Sequence, residues 1–271
     1  MRDSLGALQK GLFLIVVSLL AVGRSAAEPI HVKYVEGTLH GFMVLRTEDG
    51  KTIAVGGVDQ TVQGARVTTT LKFHFEDGSE YEETTIFSQR SVFRVLSNHQ
   101  LTKGPAFKKP MEIWIDCLGG QVKVREIHND NKDDDKESKV TTYHINIPAD
   151  LANGISPTLM KNFPDDSQRT LPILAATPKP RIVKLVVTPE SDDSFSFAGT
   201  KYKAKQFLAK VEIGGIAGAV APVVGQQPPD SHVWILKGEA PIFLKSSGPL
   251  AAGTPVWQIE LAGPAWGGEE K

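Results

Sequence analysis

Val67-Thr68-Thr69-Thr70-Leu71-Lys72-Phe73-His74-Phe75 decides the fold of this chain. Val67, Thr69, Leu71, Phe73 and Phe75 alternate with Thr68, Thr70, Lys72 and His74. Successive side chains of a strand point to opposite faces, so a period of two predicts a half-buried β-strand. Asp77-Gly78 follows as a hairpin signal. A three-residue loop at Asp77-Gly78-Ser79 would set Phe75 against Tyr81 and Thr69 against Phe87. That pairing keeps apolar residues together, so a bulged three-residue turn is expected.

Outward from this strand the pattern repeats. A three-residue loop at Asp49-Gly50-Lys51 would set Leu45 against Val55 and Thr47 against Ile53. A two-residue turn at Gly119-Gly120 would set Ile115 against Val124 and Cys117 against Val122, which places Cys117 on the apolar face. From His31 to Arg125 the chain therefore reads as a β meander. Lys132 to Lys139 is a charge run without the alternating carboxylates and central glycine of a calcium loop, and reads as a solvated loop tip. Val140 to Ile147 returns from it as a strand, with Tyr143, Ile145 and Ile147 on one face.

Helix is expected only in the middle. Pro148-Ala149-Asp150-Leu151-Ala152 has proline at a first helical position, Asn153-Gly154 breaks it, and Ser156-Pro157 restarts it with Ser156 as N-cap. Leu159, Met160 and Phe163 would then pack down as a lid or plug. The second half returns to strands: Arg181–Val187, a short one at Ser194–Ala198, then Gln206–Ile213 with Phe207, Ala209, Val211 and Ile213 on one face. Val233–Leu236, Ile242–Lys245 and Val256–Leu261 complete the set. Gly214 to Gly225 is apolar, built of small residues and too short to cross a bilayer. It reads as a tightly packed turn or helix, or as a membrane-contacting or ligand-gating loop.

At the other end, Arg2 and Lys10 precede the apolar run Leu12–Val22, and Ser25 and Ala27 supply the small residues of a cleavage site. This predicts a signal peptide over 1–27 and a mature chain from near Glu28, forming one β-rich domain over 28–271. The protein is therefore expected to be exported, to the periplasm or the medium. No cysteine follows the apolar run, so no lipid anchor and no transmembrane span are expected after cleavage. The only cysteine is Cys117, so no internal disulfide can form and packing alone must hold the fold.

Composition narrows the function classes. The formal net charge is −1 and no basic stripe occurs, which argues against nucleic-acid binding. The histidines at 31, 40, 74, 99, 128, 144 and 232 form no helix-borne zinc motif, and no metal or cofactor is expected. His74 and His144 fall on polar strand faces. No nucleophile elbow, P-loop or dinucleotide fingerprint is present. Asp230-Ser231-His232 holds triad residue types, but adjacent strand residues point to opposite faces. No catalytic residue is assigned. Trp114, Trp234, Trp257 and Trp266 sit on or beside late hairpins, as core residues or as the stacking surfaces of a sheet-lined cavity. Trp114, Trp234, Trp257, Met160 and Phe163 are the candidate ligand contacts.

Five segments carry a resemblance: Phe93–Ser97, Lys103–Phe107, Leu151–Gly154, Ala176–Arg181 and Pro228–Ile235. They resemble a family of secreted bacterial proteins of unknown function, of the acidobacterial type. The layout of meander, helical insert and second strand set is also similar to incomplete-β-barrel periplasmic proteins related to lipoprotein carriers. That likeness implies a curved sheet around a central helix, enclosing an apolar cavity. No binding residue carries over from it.

The expected fold is mainly β: a curved antiparallel sheet or partly open β-barrel with a short helical insert near 149–163. The first functional expectation is a non-enzymatic envelope protein that binds an apolar small molecule or lipid in the sheet's concavity. The second is a structural or interaction module of the envelope with a filled core. The third is a secreted hydrolase using Asp116, Asp230 and His232.

Overall fold

The computed structural model describes residues 29–127, 139–164, 166–197, 200–213 and 227–262. The expected signal peptide, most of the 132–139 charge run, the segment 214–225 and Trp266 lie outside these residues.

One antiparallel sheet of 14 strands organises the molecule. The first half is an uninterrupted meander: β1 Leu39–Thr47, β2 Thr52–Gln63, β3 Arg66–Phe75, β4 Glu80–Gln89, β5 Phe93–Lys103, β6 Met111–Asp116, β7 Gln121–Glu126 and β8 Val140–His144. The helical insert α1, Ser156–Lys161, follows. A second meander runs through β9 Arg169–Ala175, β10 Arg181–Phe197, β11 Thr200–Glu212, β12 Ser231–Leu236, β13 Ile242–Pro249 and β14 Val256–Ala262. The halves join where β1 pairs with β14, which leaves β8 and β9 as the edges.

The sheet curls because its two ends share a core. Ile113, Ile115, Val122 and Val124 of β6 and β7 pack in one cluster with Leu174 of β9, Leu151 and the half-buried Ile182 and Tyr143. A second cluster sets Val67, Phe87 and Val95 opposite Leu171, Val187, Phe207 and Ile235, with Leu159 and Met160 of α1 between them. A third joins Leu45, Phe73, Phe75, Tyr81, Phe107 and Trp257. Each fully buried Leu, Val or Phe contributes about 1.5–3 kcal/mol, so these clusters are the main favourable term.

The sheet does not close into a barrel. Proline lacks an N–H and is confined to sheet edges, and Pro172 lies in edge strand β9. Residues 152 and 153 of the insert cover that edge: the Ala152 N–H donates to the Pro172 carbonyl at 2.9 Å, and the Asn153 side chain bonds both backbone groups of Leu174. On the opposite edge, the Tyr143 hydroxyl of β8 donates to the Pro178 carbonyl at 2.8 Å.

Several expected registers are corrected. The β3–β4 hairpin has a three-residue loop, but the loop is Glu76-Asp77-Gly78. Val67 faces Phe87 and Phe73 faces Tyr81. The β1–β2 loop is likewise Glu48-Asp49-Gly50, and a bulge between Leu45 and Arg46 pairs Leu45 with Ala54. In both loops glycine holds the last position, at φ +82° for Gly78 and +88° for Gly50, the left-handed residue that closes a G1 bulge. At the third hairpin Cys117 lies within a four-residue turn, and Ile115 faces Val122. Residues 148–151 form a turn, and Ile155 is the N-cap of α1; the Ser156 hydroxyl instead donates to the Ala152 carbonyl. The two short strands expected over 181–198 are one strand bent by a bulge between Pro189 and Asp192.

Candidate functional site

The concave face of β2–β6 is built in rows, because facing residues of neighbouring strands share a side. One row, Phe73–Tyr81–Thr102–Met111, is buried throughout. Four residues along, Thr85, Asn98 and Ile115 form a second buried set, with Gln60 beyond the half-buried Thr69. Between them runs Gly41–Val58–Leu71–Glu83–Gln100, in which every member is half-buried. The result is a trough crossing five strands, ~20 Å long at the usual interstrand spacing. It closes at buried Ile113 and ends at Gly41, where Val58 and the exposed Leu261 already lie in contact with the position a side chain would take.

Polar chemistry gathers near the closed end. Glu83 accepts a hydrogen bond from the Tyr81 hydroxyl at 3.0 Å and one from the Asn98 amide at 2.9 Å. The same amide donates to the Thr85 hydroxyl at 2.8 Å. Desolvation raises the Glu83 carboxyl above its ordinary value, against the lowering effect of both hydrogen bonds. Burial, together with the adjacent Glu83 charge, pushes the Tyr81 phenol well above its usual value. Among the described residues no cation pairs with Glu83. A carboxyl that is deeply set yet half-reachable by solvent lies at the bottom of a recess.

The opposite face of the sheet carries a groove of about 700 Å³ over β4–β8. Ile86, Trp114 and Val140 give it apolar surface; Asp116, Gln121 and Lys123 give it polar surface. Trp114 is held rigidly: the His99 ring stacks on it at 5.3 Å, and the Arg125 guanidinium lies 5.8 Å from its centroid. Buried Glu112 binds both His99 and Arg125.

The five candidate ligand contacts do not converge. Trp114 lies in the outer groove. Trp234 is also on the outer face, donating from Nε1 to Asp193 at 3.2 Å beneath the Lys245 ammonium. Trp257 is buried among Phe75 and Phe107, Met160 is buried in the α1 cluster, and Phe163 packs edge-on against Phe207. The hydrolase candidates are also apart. His232 meets Glu190 at 3.3 Å and Gln206 at 3.0 Å, Asp230 pairs with Lys210, and Asp116 caps the backbone of Leu118 and Gly119. Among the described residues no group of three or more His, Cys, Asp or Glu is placed to hold a metal ion. His74 and His144 are exposed, as their strand faces indicated.

Glu83, Asn98 and Gln100 are the polar residues that sequence reading passed over. The inward faces of β4 and β5 also carry Thr85 and Thr102, so an apolar period of two does not single these residues out.

No family model matches the chain, so the resemblance to a secreted acidobacterial-type family has none behind it. No curated protein matches either. Among solved structures the chain is similar to the hypothetical lipoprotein YmcC from Escherichia coli (K12). The TM-score is 0.36 and the identity 15%, over 83% of this chain and 85% of that one. The likeness is loose, and no residue's role follows from it.

Proposed function

We propose that this is an exported, non-enzymatic envelope protein that holds an apolar or amphipathic ligand in the concave face of its sheet. The trough Gly41–Val58–Leu71–Glu83–Gln100 carries this reading: an accessible band between buried rows, with apolar Val58 and Leu71 along its floor and a polar end. The export part is supported by residues 1–27, whose basic start, apolar run and small-residue end fit a cleaved signal. The dispersal of Asp116, Asp230 and His232 weighs against hydrolysis, which needs convergent groups.

Native mass spectrometry of the purified chain tests the reading. Co-purified small amphiphile, lost in Leu71→Asp while the fold persists by circular dichroism, is the expected result. A ligand-free chain that also fails to take up N-phenyl-1-naphthylamine would overturn it.

A second reading is an interaction module working from the outer face. The 700 Å³ groove around Trp114 favours it, as do the exposed outer residues Phe42 and Val55, at 54% and 58% accessibility. A Trp114→Ala variant that loses a binding partner while retaining amphiphile uptake would support this reading over the first.

A further inference from the structure

We infer that the ligand of the trough is an amphiphile with a cationic amine head, and that Glu83 is its counter-ion. This rests on the concave-face reading proposed above and names the chemistry of that site. A carboxylate taken out of water needs a partner charge or full hydrogen bonding. Glu83 has two donors, from Tyr81 and Asn98, although a carboxylate offers about four acceptor positions. The groups facing it from neighbouring strands are neutral: Leu71 on β3, and Asn98 and Gln100 on β5. On its own strand the neighbours along the inner face are Tyr81 and Thr85, and Gly154 of the insert packs beside Thr85. None supplies positive charge.

The layout fixes the ligand's direction. Glu83 lies two strands from the closed end at Ile113, so the head enters first. The tail then runs over Leu71 and Val58 toward the β1 end of the row at Gly41. An ammonium head gives Glu83 the charge partner it lacks and makes the ionised carboxyl the stable form. An anionic head would meet the same carboxyl unfavourably, and an alcohol would gain one hydrogen bond without charge compensation.

Isothermal titration of the full chain near pH 7.5 with dodecylamine, 1-dodecanol and dodecanoate, each below its micelle concentration, tests this. Dodecylamine is expected to bind at least about tenfold more tightly than dodecanol. Glu83→Gln should bring the two within about twofold by weakening dodecylamine far more than dodecanol. If all three ligands fail to bind, the trough reading falls and takes this inference with it. If amine and alcohol bind equally, or Glu83→Gln leaves the amine preference intact, the trough stands and the counter-ion role is overturned.

Discussion

The side chain of Asn153 pairs with Leu174 as a strand would, accepting from its N–H at 2.7 Å and donating to its carbonyl at 3.0 Å. One amide thus completes the ladder on an edge where Pro172 has no N–H to give. Leu174 is buried, so both its backbone groups would be left unsatisfied in Asn153→Ala. A loss of roughly 2–4 kcal/mol is expected in urea unfolding. Faster aggregation should accompany it, because an uncovered edge is a template for pairing. Stability within about 0.5 kcal/mol of the parent would show that the insert does not secure this edge.

Next to that clasp, Gly154 has φ +69°, and a Cβ there would sit 1.9 Å from the Thr85 hydroxyl. Thr85 is buried and bonded to Asn98, so it has no room to retreat. Gly154→Ala combines a left-handed backbone cost with a core clash, and a loss of about 3 kcal/mol or more is expected. Adding Thr85→Ala removes the closest clash but not the backbone cost, so it should recover part of the loss. Equal stability of Gly154→Ala and its parent would contradict this packing.

Lys161 of α1 pairs with Glu36, a buried residue of the N-terminal strap that runs over 29–38 ahead of β1. The strap has little ladder of its own. Asn162 accepts from the N–H groups of Lys33 and Tyr34, and Gln89 grips both backbone groups of Glu36. Lys161→Met leaves the Glu36 charge without its ion partner, which should cost about 3–5 kcal/mol. Hydrogen exchange at Lys33, Tyr34 and Glu36 should rise before the core strands respond. Uniform protection in the variant would mean that the ion pair does not hold the strap.

The strands were legible where alternation was clean, and the registers were not. Phe75 against Tyr81 and Phe73 against Tyr81 both keep apolar residues on one face, since a two-residue slip preserves parity. What separates them is the need for glycine at the loop's last position, a backbone requirement rather than a hydrophobic one. β9 escaped notice because Pro172 argues against a strand; the proline is tolerated there because the strand is an edge.

The trough was less legible than the sheet. Aromatic residues suggested a ligand surface, but tryptophan serves cores and surfaces alike, and Trp114 and Trp257 ended on opposite faces. The informative residues were the polar ones on an inward face. Glu83 and Gln100 meet through the pairing of β4 and β5, whose bulge between Ile86 and Phe87 no sequence periodicity announces.

Cys117 packs half-buried against two core clusters, and burial pushes its thiol up to about 11. The thiolate is the reactive form, so at pH 8 only ~0.1% of the residue is available to an alkylating agent. Iodoacetamide labelling of the native chain should be far slower than after denaturation, and its rate should climb with pH up to about 11. Rapid labelling at pH 7 would contradict this setting.

Glu83 gives the fold a dependence on pH that can be read without any ligand. Burial raises its carboxyl above the ordinary value of 4.5, so the folded state favours the protonated acid. Its contribution is therefore fully present below the unfolded value and is lost as pH rises through the folded one. Glu83→Gln keeps the size and an acceptor but cannot ionise. Thermal unfolding of parent and variant from pH 4 to pH 8 should show the variant gaining relative Tm as pH rises above 4.5, and levelling off once the folded carboxyl is ionised. Curves that stay parallel across that range would mean that the carboxyl is not desolvated, and the recess around it would have to be shallower than the half-buried row implies.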